Sequence, residues 1–211
     1  MDVDVPLKMN RAIHGAVKRD LTRVEAGLRA MATGQDPRGA VAATWANLYK
    51  QLDHHHTGED DYLWPWLRTK GVDPTVLDAL EGEHVDLMSG MDKANELVGT
   101  ACRSGEPADA TAAADAVAAA AQVIYGHVEH EEGFAEEVVR PLLTDPGFKP
   151  VAKGLRKSSL PDACVFFSWV KDDAESEHAD FLHNLLPAPV SFMFANTFGR
   201  SYEREVAASW R

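Results

Sequence analysis

The sequence predicts an all-α protein, an up-down-up-down four-helix bundle with a C-terminal helical extension. Three observations predict it. Long segments rich in Ala, Leu, Glu, Lys and Arg show no strand-like alternation. Helix starts are punctuated regularly: Asp36-Pro37, Asp73-Pro74 and Asp145-Pro146 each place a capping residue before a proline suited to the first helical position. The breaks "TGQ", "KGVD" and "CRSGE" are short, and short connections make successive helices antiparallel neighbours.

Taken in order, the helices are expected at roughly 6–33, 37–69, 74–99 and 107–141, the first opened by Pro6 and the fourth by Glu106-Pro107. The stretch "ADATAAADAVAAAAQV" is low in complexity yet strongly helical, and its small side chains let helices approach closely. After Pro141 the texture changes to short aromatic pieces broken by prolines, "ACVFFSWV", "ADFLHNLLPAPV" and "SFMFANTFGRSY". The chain is therefore divided into a bundle over 1–143 and a helical extension over 144–211. Phe166, Phe167, Trp169, Phe192, Phe194 and Phe198 are too apolar to leave in water, so the extension is expected to cover the bundle or a homodimer contact.

Composition narrows the function. Hydrophobic residues at 45% and charged residues at 26% are those of a globular protein, and 211 residues suffice for one well-filled core. A net charge of −12 repels phosphate, so neither nucleic acid nor an anionic membrane is an expected partner. The opening "MDVDVPLKMNRAIH" lacks an apolar core and cleavage site, so no signal peptide is expected. Cys102 and Cys164 form no disulfide framework, and a cytoplasmic location is expected.

The histidines carry the functional signal. Three of the nine are consecutive, His54, His55 and His56, inside "LDHHHTGEDDYLWP". His55 with Glu59 and His127 with Glu131 share an i, i+4 spacing, which puts each pair on one helix face. The surroundings rhyme: "HHTGEDDYLWP" and "HVEHEEGFAEEVVRP" both run from His through acids and an apolar stretch to Pro. Helical rise places His14 ~12 Å from one end of the bundle, Glu59, His84 and Glu131 ~15 Å, and His55 and His127 ~21 Å. Residues from all four helices thus fall within about two turns of one another. Burying them without a cation is costly, whereas imidazole and carboxylate together suit iron, manganese or zinc. Four nitrogens and two bridging carboxylates suit two metals that share a solvent bridge and keep open positions.

These residues resemble the hemerythrin family, in its bacterial hemerythrin-like (HHE cation-binding) branch. The matching motifs are "RAIHGAVKRDL" around His14, "HHTGEDDYLWP" with His55 and Glu59, "EHVDLM" with His84, and "HVEHEE" with His127 and Glu131. The resemblance spans roughly residues 6–141. It implies a four-helix bundle holding two iron ions with an oxo or hydroxo bridge, with His14, His55, Glu59, His84, His127 and Glu131 as ligands. It departs from the oxygen carriers of the family, which have a second histidine one turn after the ligand on the third helix. Here that place is Met88. Their last carboxylate is also an aspartate one residue further along than Glu131. The missing histidine should leave one iron more open, which favours reaction with peroxide, oxygen or nitric oxide over reversible oxygen carriage.

Other assignments stay in view. His56 with Asp60 has the same spacing as His55 with Glu59, and the family pattern selects His55. His54 and His56 lie about 100° to either side of His55 and default to solvent or an outer position. His130 defaults to the surface, and His178 and His183 to solvent. Glu81 with His84 and Glu175 with His178 form the Glu-x-x-His of ferritin-like sites, an alternative that abandons both His-x3-Glu pairs. Tyr62, three residues after Glu59, is a candidate phenol and proton donor near the open iron.

The first functional expectation is a di-iron oxidoreductase acting on hydrogen peroxide, catalase-like or peroxidase-like, with Glu59 and Glu131 bridging the irons. The alternative is a protein that binds or senses dioxygen, nitric oxide or iron without turnover. Iron storage is a third reading.

Overall fold

The computed structural model describes residues 3–211, apart from the side chain of Ala195. The first two residues, where the expectation about a signal peptide begins, lie outside the described residues. Among the described residues the chain is helical and no strand forms. The long helices are α1 (Val5–Ala32), α2 (Arg38–Gly58), α4 (Pro74–Ser104) and α5 (Pro107–Phe134). Between α2 and α4 lies α3 (Trp64–Thr69). After α5 come α6 (Phe148–Leu155), α7 (Leu160–Lys171), α8 (Ser176–Leu185), α9 (Ala188–Asn196) and α10 (Gly199–Glu205). No helix among the described residues is long and apolar enough to cross a membrane.

The proline signals act in different ways. Asp73 caps α4 as its sequence suggests, its carboxylate accepting from the Thr75 N–H at 2.9 Å. Asp36 does not cap α2; its two carboxylate oxygens accept from Arg38 Nε and Nη2 at 2.6 and 2.7 Å. Asp145 accepts from the Gly147 N–H at 2.7 Å and braces a turn, so α6 begins only at Phe148. At its far end α4 continues past the expected stop at residue 99 to Ser104, because "ACRS" is helix-compatible. Gly105, at φ 68°, supplies the left-handed residue that ends it.

Two π turns, Glu59–Leu63 and Ala135–Val139, interrupt the rising helices in corresponding places. Each stands just before a proline, Pro65 and Pro141. A proline donates no hydrogen bond and clashes with the carbonyl four residues back, which here is Asp61 or Glu137, inside the turn. Widening to an i+5 bond absorbs the clash: Trp64 N–H reaches the Glu59 carbonyl and Arg140 N–H the Ala135 carbonyl. The helical path from Arg38 to Thr69 is thereby unbroken, with Glu59 as the first residue of its π turn.

The long helices pack in a ring: α1 touches α2 and α5, and α4 touches the same two. Inside are two apolar clusters. The larger holds Leu21, Leu28, Leu48, Leu52, Leu87 and Ile124. The smaller holds Leu7, Trp64, Leu67, Leu80, Phe134 and Phe148. On every long helix the histidines fall between the two: His14 after Leu7, His55 and His56 between Leu52 and Leu63, His84 between Leu80 and Leu87, His127 between Ile124 and Phe134. The interior is therefore layered, with one polar level between apolar ones.

The extension lies against the long helices. Trp169, Val170, Leu182, Tyr202 and Val206 are buried in the larger cluster. Phe166 and Phe167 pack at its edge, and Phe194 stands 5.6 Å from Phe167. Phe192 and Phe198 remain 71% and 49% exposed, so the chain itself does not cover all six aromatics. A polar seam fastens α7 to α1. Trp169 Nε1 donates to Asp20 at 2.8 Å. Asp172 accepts from Arg23 at 2.7 Å, from Arg211 at 2.9 Å and from the Tyr202 hydroxyl at 3.1 Å.

Candidate metal centre

His14, His56, Glu59, His84, His127 and Glu131 are each at most 3% exposed, and His55 is only slightly more open. All are delivered to the same level by the ring of helices. Their ring nitrogens and carboxylate oxygens converge. His14 Nε2 is 3.3 Å from His55 Nε2 and 3.2 Å from Glu131 Oε2. His55 Nε2 is 3.5 Å from Glu59 Oε1, and His84 Nε2 is 3.7 Å from Glu59 Oε2. His127 Nε2 is 3.6 Å from Glu131 Oε2.

The arrangement has two ends. His14, His55 and Glu131 form one group of donor atoms, all within 4.8 Å of one another; His56, His84 and His127 form a second, and a third, His55, His56 and Glu59, links the two. The carboxylates span them. Glu59 offers one oxygen to His55 and the other to His84, while Glu131 lies between His14 and His127.

Outer carboxylates hold the rings. His14 Nδ1 bonds Glu132 at 2.8 Å, His84 Nδ1 bonds Asp60 at 2.8 Å, and His127 Nδ1 bonds Glu83 at 2.9 Å. A carboxylate that accepts from Nδ1–H fixes that tautomer and leaves the Nε2 lone pair facing inward, the usual support of a metal-bound histidine. Asn10 Nδ2 donates to Glu131 Oε1 at 2.9 Å and orients it.

The sequence-based expectation for His56 is corrected here. Its ring is buried and stacks on His84, centroids 4.1 Å apart and planes 19° from parallel. The helix turns it into the interior because α2 is enclosed on both flanks by α1 and α4. The i, i+4 pairing with Asp60 was the sequence signal for it, and Asp60 instead supports His84. His54 is exposed. His130 is exposed and binds the second oxygen of Glu83 at 2.7 Å, so it faces the outer side of the centre. His178 is half-buried against Gly15, not free in solvent. The Tyr62 ring lies so tightly against Gly154 of α6 that any side chain there would collide with it.

Whether a metal fits can be read from what the buried atoms lack. Glu59 Oε2, Glu131 Oε2, His84 Nε2, His127 Nε2 and His56 Nδ1 are fully buried without a hydrogen-bond partner. Leaving such groups unpaired costs about 1–3 kcal/mol each, more when charged. Protons do not resolve this. Burial opposes a charge on His14, but Glu131 and Glu132 outweigh it and push its pKa up to about 9. Burial, reinforced by the charge on His14, pushes His55 down to about 3. Burial and the neighbouring imidazoles hold His56 well below the usual range. Glu59 is raised well above the carboxylate range by burial and by Glu131 beside it. Glu131, despite its burial, is held well below by His14. One imidazolium thus serves Glu131, and Glu59 shares a proton with Glu131, while His56 Nδ1, His84 Nε2 and His127 Nε2 stay unpaired. Divalent cations satisfy all of them, and a donor set of imidazole nitrogen and carboxylate oxygen suits iron, manganese or zinc over magnesium or calcium.

Ring of helices and donor set together define a helical metal-binding domain. The family model of the hemerythrin HHE cation-binding domain matches residues 5–156, and the chain belongs to that family, whose domain binds cations, typically iron. The match runs past the boundary expected at residue 143, through α6, which packs on the π turn after Glu59. No curated protein and no solved structure matches the chain significantly.

Proposed function

We propose that this chain holds two iron ions within an up-down-up-down bundle of its four long helices and decomposes hydrogen peroxide. His14 and His55 would hold one iron and His56, His84 and His127 the other, with Glu59 and Glu131 spanning both. The observation that carries the reading is the paired geometry: two groups of donor atoms joined by two carboxylates, each carboxylate near a histidine of either end. A structural zinc site needs only four closed ligands and no such pairing.

When bound, two irons supply a redox couple able to exchange two electrons with a peroxide. The chain's own residues position and protect that chemistry. Glu132, Asp60 and Glu83 hold the Nδ1 protons and fix ring orientation. Apolar clusters on either side exclude bulk water. A surface cleft of about 510 Å³ between α2 and α4 reaches His56 and His84 and does not border His14, His55 or Glu131. Met88, where oxygen carriers of the family have a histidine, lines this cleft and offers no nitrogen there. Decomposition balances without an outside reductant: one peroxide is reduced to two waters while a second is oxidised to dioxygen.

The test is iron content of the purified protein together with oxygen evolution from added peroxide. About two irons per chain are expected, with sustained oxygen release. A protein with full iron that takes up dioxygen reversibly and evolves none from peroxide would make binding the function.

A further inference from the structure

The cleft over His56 and His84 joins an acidic rim to buried, unpartnered imidazole nitrogens. Asp53, Asp60 and Asp92 all line it. Several other acids of the surface are neutralised: Asp162 by Lys50, Asp145 by Lys70, Asp78 and Glu81 by Arg68, Glu136 by Arg140. No lysine or arginine pairs with the three rim aspartates among the described residues. Asp60 is engaged by His84, and Asp92 accepts from the Tyr49 hydroxyl, which fixes it at the rim. Asp53 is exposed. At the floor are His56 Nδ1 and His84 Nε2, both buried and unpartnered.

An unneutralised acidic mouth over unpartnered imidazoles concentrates cations. Carboxylates around a concave, low-dielectric wall focus the field and raise the local density of the opposite charge. A neutral peroxide gains nothing from it. We propose that this cleft is the route by which hydrated ferrous ions load the centre: Asp53 and Asp92 draw the ion in, and His56 is the first imidazole it meets. His14, His55 and Glu131 do not border the cleft, so an ion entering there meets the His56 and His84 end first. The inference rests on the two-metal reading above.

The experiment strips the full chain with a chelator and follows Co2+ uptake by stopped-flow absorption. Asp53→Asn with Asp92→Asn is compared with wild type and with a control of equal charge change on α8, Glu177→Gln with Asp180→Asn. The rim variant is expected to load about tenfold more slowly at low salt, with the gap closing at about 0.5 M salt, where fields between exposed charges are screened within a few ångströms. Its final metal content should equal that of wild type, and Asp53→Asn alone should show part of the effect. A rim variant that loads as fast as the α8 control overturns the route. One that loses bound metal at equilibrium overturns it as well, since the aspartates would then be ligands. A wild-type chain that takes up no Co2+ overturns the two-metal reading itself, a distinct result.

Discussion

His56 lies face to face with His84, ring centroids 4.1 Å apart, and turns 90° to His127 at 5.3 Å. Three rings from α2, α4 and α5 are thus gathered around one small volume. Stacked imidazoles buried together are tolerable only if their nitrogens find a partner. His56→Ala is therefore expected to halve the iron, from about two ions per chain to about one, with the His14 and His55 end still occupied. His54→Ala, two residues earlier on the exposed side, should change nothing. Elemental analysis of both variants decides; full iron in His56→Ala would remove His56 from the centre.

Glu83 binds two histidines at once, His127 with one oxygen and His130 with the other. Its role toward His127 is orientation and ligand basicity. Loss of such an outer partner weakens metal affinity by about 10–100-fold. Glu83→Gln should release iron to a competing chelator correspondingly faster, while His130→Ala, which leaves the Glu83 to His127 bond in place, should have a much smaller effect. Equal losses in the two variants would mean that His130 is part of the support.

The helices and their level of histidines are legible in the sequence because both follow from periodicity and proline placement. His14, His55, Glu59, His84, His127 and Glu131 emerge from spacing and from rise per residue, and the structure brings all six together. His56 does not. Its helical angle points away from His55, and angle alone does not say how far α1 and α4 wrap around α2. The seat of the Tyr62 ring is not legible in the sequence for a related reason. The π turn that starts at Glu59 rotates the residues after it relative to a straight helix, and α6, invisible to an argument from four helices, offers Gly154 as the seat for its ring. The outer carboxylates Glu83, Asp60 and Glu132 carry no spacing signal, since exposed acids are common on any helix.

The extension is held by a buried charge, which gives it a pH dependence. Burial alone would raise the pKa of Asp172, but Arg23, Arg211 and Arg19 outweigh this and lower it. A depressed carboxylate contributes stability that is present above its unfolded value, about 3.9, and is lost as pH falls through the lower folded value. The seam is expected to hold at neutral pH and to weaken below about pH 4. In Asp172→Asn that acid step disappears, and stability at neutral pH falls by about 2 kcal/mol, since three donors lose a charged acceptor. The near-ultraviolet circular dichroism of buried Trp169, followed against urea at several pH values, reads both effects. An unchanged acid step in Asp172→Asn would place its origin elsewhere.

Removing the extension tests the same contact without pH. A chain ending at residue 156 keeps the family-matched part with α6 but loses Trp169, Val170, Leu182, Tyr202 and Val206 from the larger cluster. Each such side chain contributes about 1.5–3 kcal/mol when buried. The shortened chain should melt well below the full one and aggregate through the face of α1 so exposed. A shortened chain that stays monomeric with an unchanged melting temperature would make the extension an independent appendage.

Met88 stands one turn beyond His84 on α4 and lines the same cleft as His56 and His84. A thioether is a soft, weak ligand for ferric iron, so this wall leaves room for an entering molecule. Histidine at that position would bring one more imidazole to the end that opens on the cleft, where His56 already supplies the third. It would compete with peroxide for the open position. The Met88→His protein should therefore keep its full iron, with peroxide decomposition slowed by about tenfold or more, a loss of roughly 1.4 kcal/mol in barrier terms. The measurement pairs iron content with the rate of oxygen evolution. Unchanged evolution at full iron content would mean that peroxide does not enter beside His84, and the reacting position would then have to lie at the His14 and His55 end.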